Sequence, residues 1–136
     1  MSNTATETLS VVVERDIPFP PEKIWRALTQ PHLIEDWLMK SDFKPSLGHG
    51  FSFQAGWGVV ECQVRAIEPN KTLSYSWAAQ GLDSVVTWTL TPTSAGTRLR
   101  MEQTGFRPDQ QLAYRGATAG WPQFFAKLEQ VLADLD

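Results

Sequence analysis

The closing stretch of the chain, Trp121 to Leu135, reads WPQFFAKLEQVLADL and constrains the fold more than any other segment. Trp121, Phe124, Phe125, Leu128, Val131, Leu132 and Leu135 recur at the i, i+3, i+4, i+7 spacing of one helical face. At about 100° per residue they occupy an arc of roughly 120°, with Gln123, Lys127, Gln130 and Asp134 opposite. Fixing each residue's backbone costs about 1–2 kcal/mol, which only burial of that apolar face can offset. The helix therefore needs a concave apolar partner, and the rest of the chain must supply it.

The partner is legible as alternating strands. Leu9, Val11, Val13, Arg15 and Ile17 share one face of the first, and Arg15 is its odd member. Phe19-Pro20-Pro21 then starts a helix carrying Ile24, Trp25 and Leu28 on one side. Thr29-Gln30-Pro31 breaks it before a second short helix, 32–39, that buries Leu33, Ile34, Trp37 and Leu38. From Ser41 onward strands return: 51–54, then 59–67 with Val60, Cys62, Val64 and Ala66 inward, then 72–79 with Leu73, Tyr75 and Trp77 inward. Val86, Trp88 and Leu90 form the next inward set, followed by Thr97, Leu99, Met101 and Gln103. Short turns join these strands, so they pair as an antiparallel meander with one buried face. Asp109 is placed to cap a helix through Leu112 and Tyr114, and Gly116, Gly120 and Pro122 predict either a kink near Gly120 or a fresh helix start there, with a single kinked helix the preferred reading.

The expected architecture is α+β: a curved antiparallel sheet of six to seven strands wrapped around the long C-terminal helix, with two short helices after the first strand. Residues 1–8 read as a disordered tail and 9–136 as one domain. The 12 Lys and Arg are scattered and the net charge is −3, which argues against a nucleic-acid surface. No stretch is long and apolar enough to span a membrane, the first ten residues lack the apolar core of a signal peptide, and Cys62 has no second cysteine to pair with. These features predict a cytoplasmic protein.

The segments DIPFPPEKIWRALTQPHLIEDWL (16–38), GHGFSFQ (48–54), EPNKTLSYSW (68–77), VTWTLTPTSAGTRLRMEQTGF (86–106) and GWPQFFAKLEQVL (120–132) resemble, in order and spacing, the START-like superfamily of polyketide cyclases and plant Bet v allergens. Within it they are most similar to the branch named after the C-terminal domain of the activator of the ninety-kilodalton heat-shock chaperone ATPase. The resemblance implies a helix-grip fold with an apolar cavity between sheet and terminal helix, used to bind lipids, hormones or hydrophobic metabolites and in a minority for catalysis. It also implies, as an alternative, a chaperone-interacting regulatory module; the activator, however, makes much of its chaperone contact through a further N-terminal domain that this sequence does not show. Where the branch often carries His before the Ser/Thr-Gly-Phe, this chain has Gln103, so one titratable group is missing from the expected cavity wall.

Chemistry-bearing residues are sparse. His32 sits at a helix start and His49 between glycines in an expected exposed loop, and neither has partners at metal-ligand spacing. Cys62 points inward as a small inert hydrophobe. No catalytic residue, metal or cofactor is expected, and a cyclase or hydratase reading lacks an acid–base pair. Arg15 and Gln103 share faces with apolar neighbours and are candidates to hold the polar end of a ligand. Trp37, Phe53, Tyr75, Trp77, Trp88, Met101, Trp121 and Phe125 complete the expected cavity lining, with Trp121 and Phe125 at its border near the Gly120–Pro122 break. The leading expectation is non-enzymatic binding of a small hydrophobic or aromatic molecule.

Overall fold

The computed structural model describes residues 8–135. Apart from Thr8, the expected tail lies outside the described residues. The chain forms β1 (Leu9–Ile17), α1 (Pro21–Thr29), α2 (Pro31–Trp37), β2 (Lys40–Ser41), β3 (Gly50–Ala55), β4 (Gly58–Glu68), β5 (Thr72–Ala79), β6 (Leu82–Thr93), β7 (Gly96–Phe106) and α3 (Gln111–Asp134). The strands make a 7-stranded sheet in the order β1-β7-β6-β5-β4-β3-β2, antiparallel at every pairing. This is the expected α+β helix-grip arrangement. No described helix is long and apolar enough to cross a membrane.

The inward faces of β5, β6 and β7 are as the alternation predicts: Leu73, Tyr75, Trp77, Val86, Trp88, Leu90, Thr97, Leu99, Met101 and Gln103 are all buried. Helix α3 covers them with Trp121, Phe125, Leu128 and Leu132, while Phe124 and Val131 pack on the margin. Strand β4 departs from expectation at Ala66. The pairing with β5 slips between Val64 and Ala66, so the bulge inverts the side-chain order beyond it. Ala66 therefore faces solvent and Ile67 packs against the core instead.

The two short helices are punctuated by proline. Pro21 and Pro31 each occupy a first helical turn, where the missing N–H costs nothing, and Gln30 closes α1 and opens α2. The indole of Trp37 donates to the Ala27 carbonyl at 2.8 Å, which ties α2 to α1. Helix α3 runs unbroken through Gly116, Gly120 and Pro122, confirming the single-helix reading. Asp109 is not its cap, because it accepts from the Arg107 guanidinium at 3.2 Å and Gln110 holds the cap position. The Gln110 side chain accepts from the Arg107 backbone N–H at 2.9 Å and donates to the Gly81 carbonyl at 3.1 Å. It thus pins the start of α3 to the β5–β6 turn.

The corner where β1 meets α1 is held by the start of β7. The buried Thr97 hydroxyl donates to the Phe19 carbonyl at 2.7 Å. Beside it, a methyl group on Gly96 would collide with the Ile17 carbonyl and with the backbone of Pro18 and Phe19. All three obstacles are main-chain atoms, which cannot rotate away. Gly96→Ala is expected to cost about 2–3 kcal/mol in urea unfolding, the range of a backbone clash; an unchanged midpoint would contradict this reading of the corner.

Candidate functional site

Helix α3 has two unlike halves. From Trp121 onward, large side chains meet the sheet. Before it, Ala113, Gly116, Ala117 and Gly120 fall at the spacing of one helical face and carry almost no side chain. A face so bare cannot fill the concavity of a twisted sheet, and a cleft of about 700 Å³ remains along it. A Cβ added at Gly116 would meet no atom within 4 Å. The opposite wall comes from Trp77 and Ala79 of β5, Leu82 of β6, and Gln103 and Phe106 of β7. Trp57, on the tight β3–β4 turn, and Leu112, in the first turn of α3, stand at the rim with 55% and 85% of their surface exposed.

A chain of hydrogen bonds runs behind the wall. Trp121 Nε1 donates to Gln103 Oε1 at 2.7 Å, Gln103 Nε2 donates to Ser84 Oγ at 3.0 Å, and Ser84 Oγ donates to the Trp77 carbonyl at 2.8 Å. It ties the Trp121 indole to the backbone of Trp77 and so links α3 to β7, β6 and β5. Among the described residues lining the cleft, Asp109 is the one ionisable side chain, and it is already engaged by Arg107. The wall is otherwise aromatic, aliphatic or amide, which equips it to hold a neutral molecule and gives it no acid–base pair.

Of the residues expected to line a cavity, Trp77, Gln103 and Trp121 do so. Trp37, Phe53, Tyr75, Trp88, Met101 and Phe125 are instead buried in the core and form no part of the cleft wall. Their rings fill the space between sheet and helix: Trp88 meets Trp37 edge-on at 5.6 Å between centroids, stacks on Phe125 at 5.6 Å and meets Trp121 at 5.8 Å. Trp88 Nε1 donates to Tyr75 Oη at 3.0 Å, so a potential cavity donor is consumed internally. Arg15 lies away from the cleft. Its side chain is exposed, with the guanidinium 5.9 Å from the Phe125 ring centre on the β1 side.

Sequence reasoning missed Trp57, Leu112, Phe106, Phe124, Ser84 and the small-residue face. The signals were present: Trp57 between two glycines marks an aromatic at a hairpin tip, and the Ala/Gly spacing of residues 113–120 marks a bare helical face. His32 is exposed at the start of α2. His49 differs from expectation, being half-buried with Nε2 enclosed and unpartnered. Among the described residues no three or more His, Cys, Asp or Glu converge as metal ligands.

Comparisons with known proteins bear on the family and the fold. A family model described as Activator of Hsp90 ATPase homolog 1-like protein matches residues 18–133. The crystal structure of protein MLL2253 from Mesorhizobium loti is 66% identical, covers 94% of this chain and 99% of its own, and superposes with a TM-score of 0.90. DynU16, a protein in the dynemicin biosynthetic locus, is 26% identical with a TM-score of 0.81 over 91% of this chain and 47% of its own. CalU16 from Micromonospora echinospora shares the fold at 23% identity and a TM-score of 0.80, over 93% of this chain and 77% of its own. No curated protein matches the sequence.

Two buried groups of the core carry a pH signature. Burial, then Glu61 and Asp42, push the Cys62 thiol well above its usual range. Burial also pushes Tyr75 up, partly opposed by the N–H donated from Trp88 and reinforced by Cys62. Both raised values favour the folded state up to the unfolded pKa values of about 8.5 for Cys and about 10 for Tyr. Above those values the unfolded chain releases protons that the folded one retains, and stability falls by as much as about 1.4 kcal/mol per pH unit and group. The urea midpoint is expected to decline from about pH 8.5, and Cys62→Val is expected to move the onset toward about pH 10. A midpoint level through that window would contradict the assignment.

Proposed function

The chain belongs to the Activator of Hsp90 ATPase homolog 1-like family, and from that premise we propose that it binds a small, uncharged hydrophobic or aromatic molecule without transforming it. The observation that carries the proposal is the cleft: about 700 Å³, bordered by Trp57, Trp77, Phe106, Trp121 and Phe124, with amides as its main polar groups. Its volume falls within the ordinary range of small-molecule pockets, about 300–1,000 Å³, which are mostly apolar with a few placed polar atoms. The site of binding is thus the open cleft beside the first half of α3, and the packed space between sheet and helix is core. The place of DynU16 in a biosynthetic locus fits a small-molecule role. A lone free cysteine suits a reducing compartment such as the cytoplasm.

The family description also supports a chaperone-directed reading, in which the exposed Trp57 and Leu112 would contact a protein. A chaperone ATPase rate that stays flat on adding the protein removes that alternative. For the ligand reading, Trp57 is the informative residue because its side chain stands half in solvent and contributes little to the core. Trp57→Ala is expected to weaken binding of a neutral aromatic probe such as Nile red about tenfold, or about 1.4 kcal/mol, while changing stability by less than about 0.5 kcal/mol. Fluorescence titration and urea unfolding of the same sample check both halves; undiminished Nile red affinity would count against the cleft.

A further inference from the structure

We infer that Gln103 selects the ligand of this cleft, favouring an uncharged ring system that presents a hydrogen-bond acceptor oxygen at its inner end. The inference rests on the cleft being the binding site.

Donor and acceptor roles along the buried chain are fixed from both ends. An indole N–H can only donate, so the Gln103 atom facing Trp121 Nε1 at 2.7 Å is the carbonyl oxygen. The amide nitrogen then faces Ser84 Oγ at 3.0 Å. Ser84 gives its single hydrogen to the Trp77 carbonyl at 2.8 Å and is left to accept from Gln103. Turning the amide over would set N–H against N–H at Trp121 and oxygen against a committed hydroxyl at Ser84. The amide therefore has one orientation.

That orientation leaves a surplus. The amide nitrogen carries two hydrogens, and Ser84 takes one. The other has no acceptor among the described residues. Gln103 is 2% exposed and forms part of the cleft wall, so this N–H belongs to a nearly dry surface. A donor left unpaired there costs about 1–3 kcal/mol, and an oxygen on a bound ligand recovers it. A carboxylate oxygen would also accept, but among the described residues lining the wall there is no cation to neutralise it. A carbonyl or ether oxygen on an apolar frame fits both conditions.

9-Fluorenone and fluorene share one planar frame and differ by a carbonyl, which makes them suitable probes. Burial of apolar surface alone favours fluorene, so a preference for fluorenone reports on the hydrogen bond. Quenching of tryptophan fluorescence gives both affinities. The wild-type chain is expected to bind fluorenone about tenfold more tightly than fluorene, the change expected for one buried hydrogen bond. Gln103→Met keeps the length of the side chain and removes the amide; it is expected to bring the two probes within about twofold of each other while fluorene still binds. Gly116→Leu fills the cleft from the helix side without altering Gln103 and is expected to lose both probes. Equal wild-type affinities, or a preference that survives in Gln103→Met, overturns the selection and leaves the cleft standing. Unimpaired binding of both probes to Gly116→Leu overturns the cleft as the site, and the inference with it. Should Gln103→Met fail to fold, the wild-type comparison decides alone.

Discussion

The hydrogen bond from Trp121 Nε1 to Gln103 Oε1 is the contact on which the rest of the structure depends. It joins the terminal helix to the central strands at the point where core gives way to cleft. Burying an indole N–H and an amide oxygen is unfavourable unless each finds a partner, and here these two groups pair with one another. Because both groups are directional, the pairing fixes the rotation of α3 about its own axis, which packing of apolar rings alone specifies less sharply. With Trp121 so held, its ring meets Trp77 at 5.5 Å and Trp88 at 5.8 Å, and the aromatic cluster closes behind it.

The division between core and cleft then follows from side-chain volume along one helix. Phe125, Leu128 and Leu132 are large enough to reach the sheet and exclude solvent. Ala113, Gly116, Ala117 and Gly120 are not, and the space they leave is lined by Trp57 of the β3–β4 turn and Gln80 of the β5–β6 turn. Glycines within a helix lower its stability by about 1 kcal/mol each relative to alanine. Gln110 compensates by tethering the first turn of α3 to the Gly81 carbonyl.

Much of the fold was legible because strands write their inward face every second residue. Leu73-Tyr75-Trp77 and Val86-Trp88-Leu90 needed no tertiary information, and neither did the terminal amphipathic helix. The β4 bulge was not legible, since slipping past one residue is settled by the pairing with β5. The site was only partly readable. Alternation identifies Tyr75, Trp88 and Met101 as inward, but whether an inward ring borders a cavity or fills one depends on how neighbouring rings interlock. Here edge-on and stacked contacts consume the space. Arg15 shares the parity of Val13 and Ile17, yet a flexible chain on the edge strand carries its charge to solvent. Gly116 and Gly120 read as interruptions of a helix, whereas in the fold they make the floor of the cleft.

The proposed ligand enters the open cleft, because the space between sheet and helix is filled by interlocking rings. Intermolecular nuclear Overhauser effects from a bound neutral aromatic probe to the indole protons test this placement most directly. Contacts from the probe to Trp57, Trp77 and Trp121, with none to Trp37 or Trp88, are the predicted result. Contacts to Trp37 and Trp88 would place the ligand inside the core and would contradict binding in the open cleft.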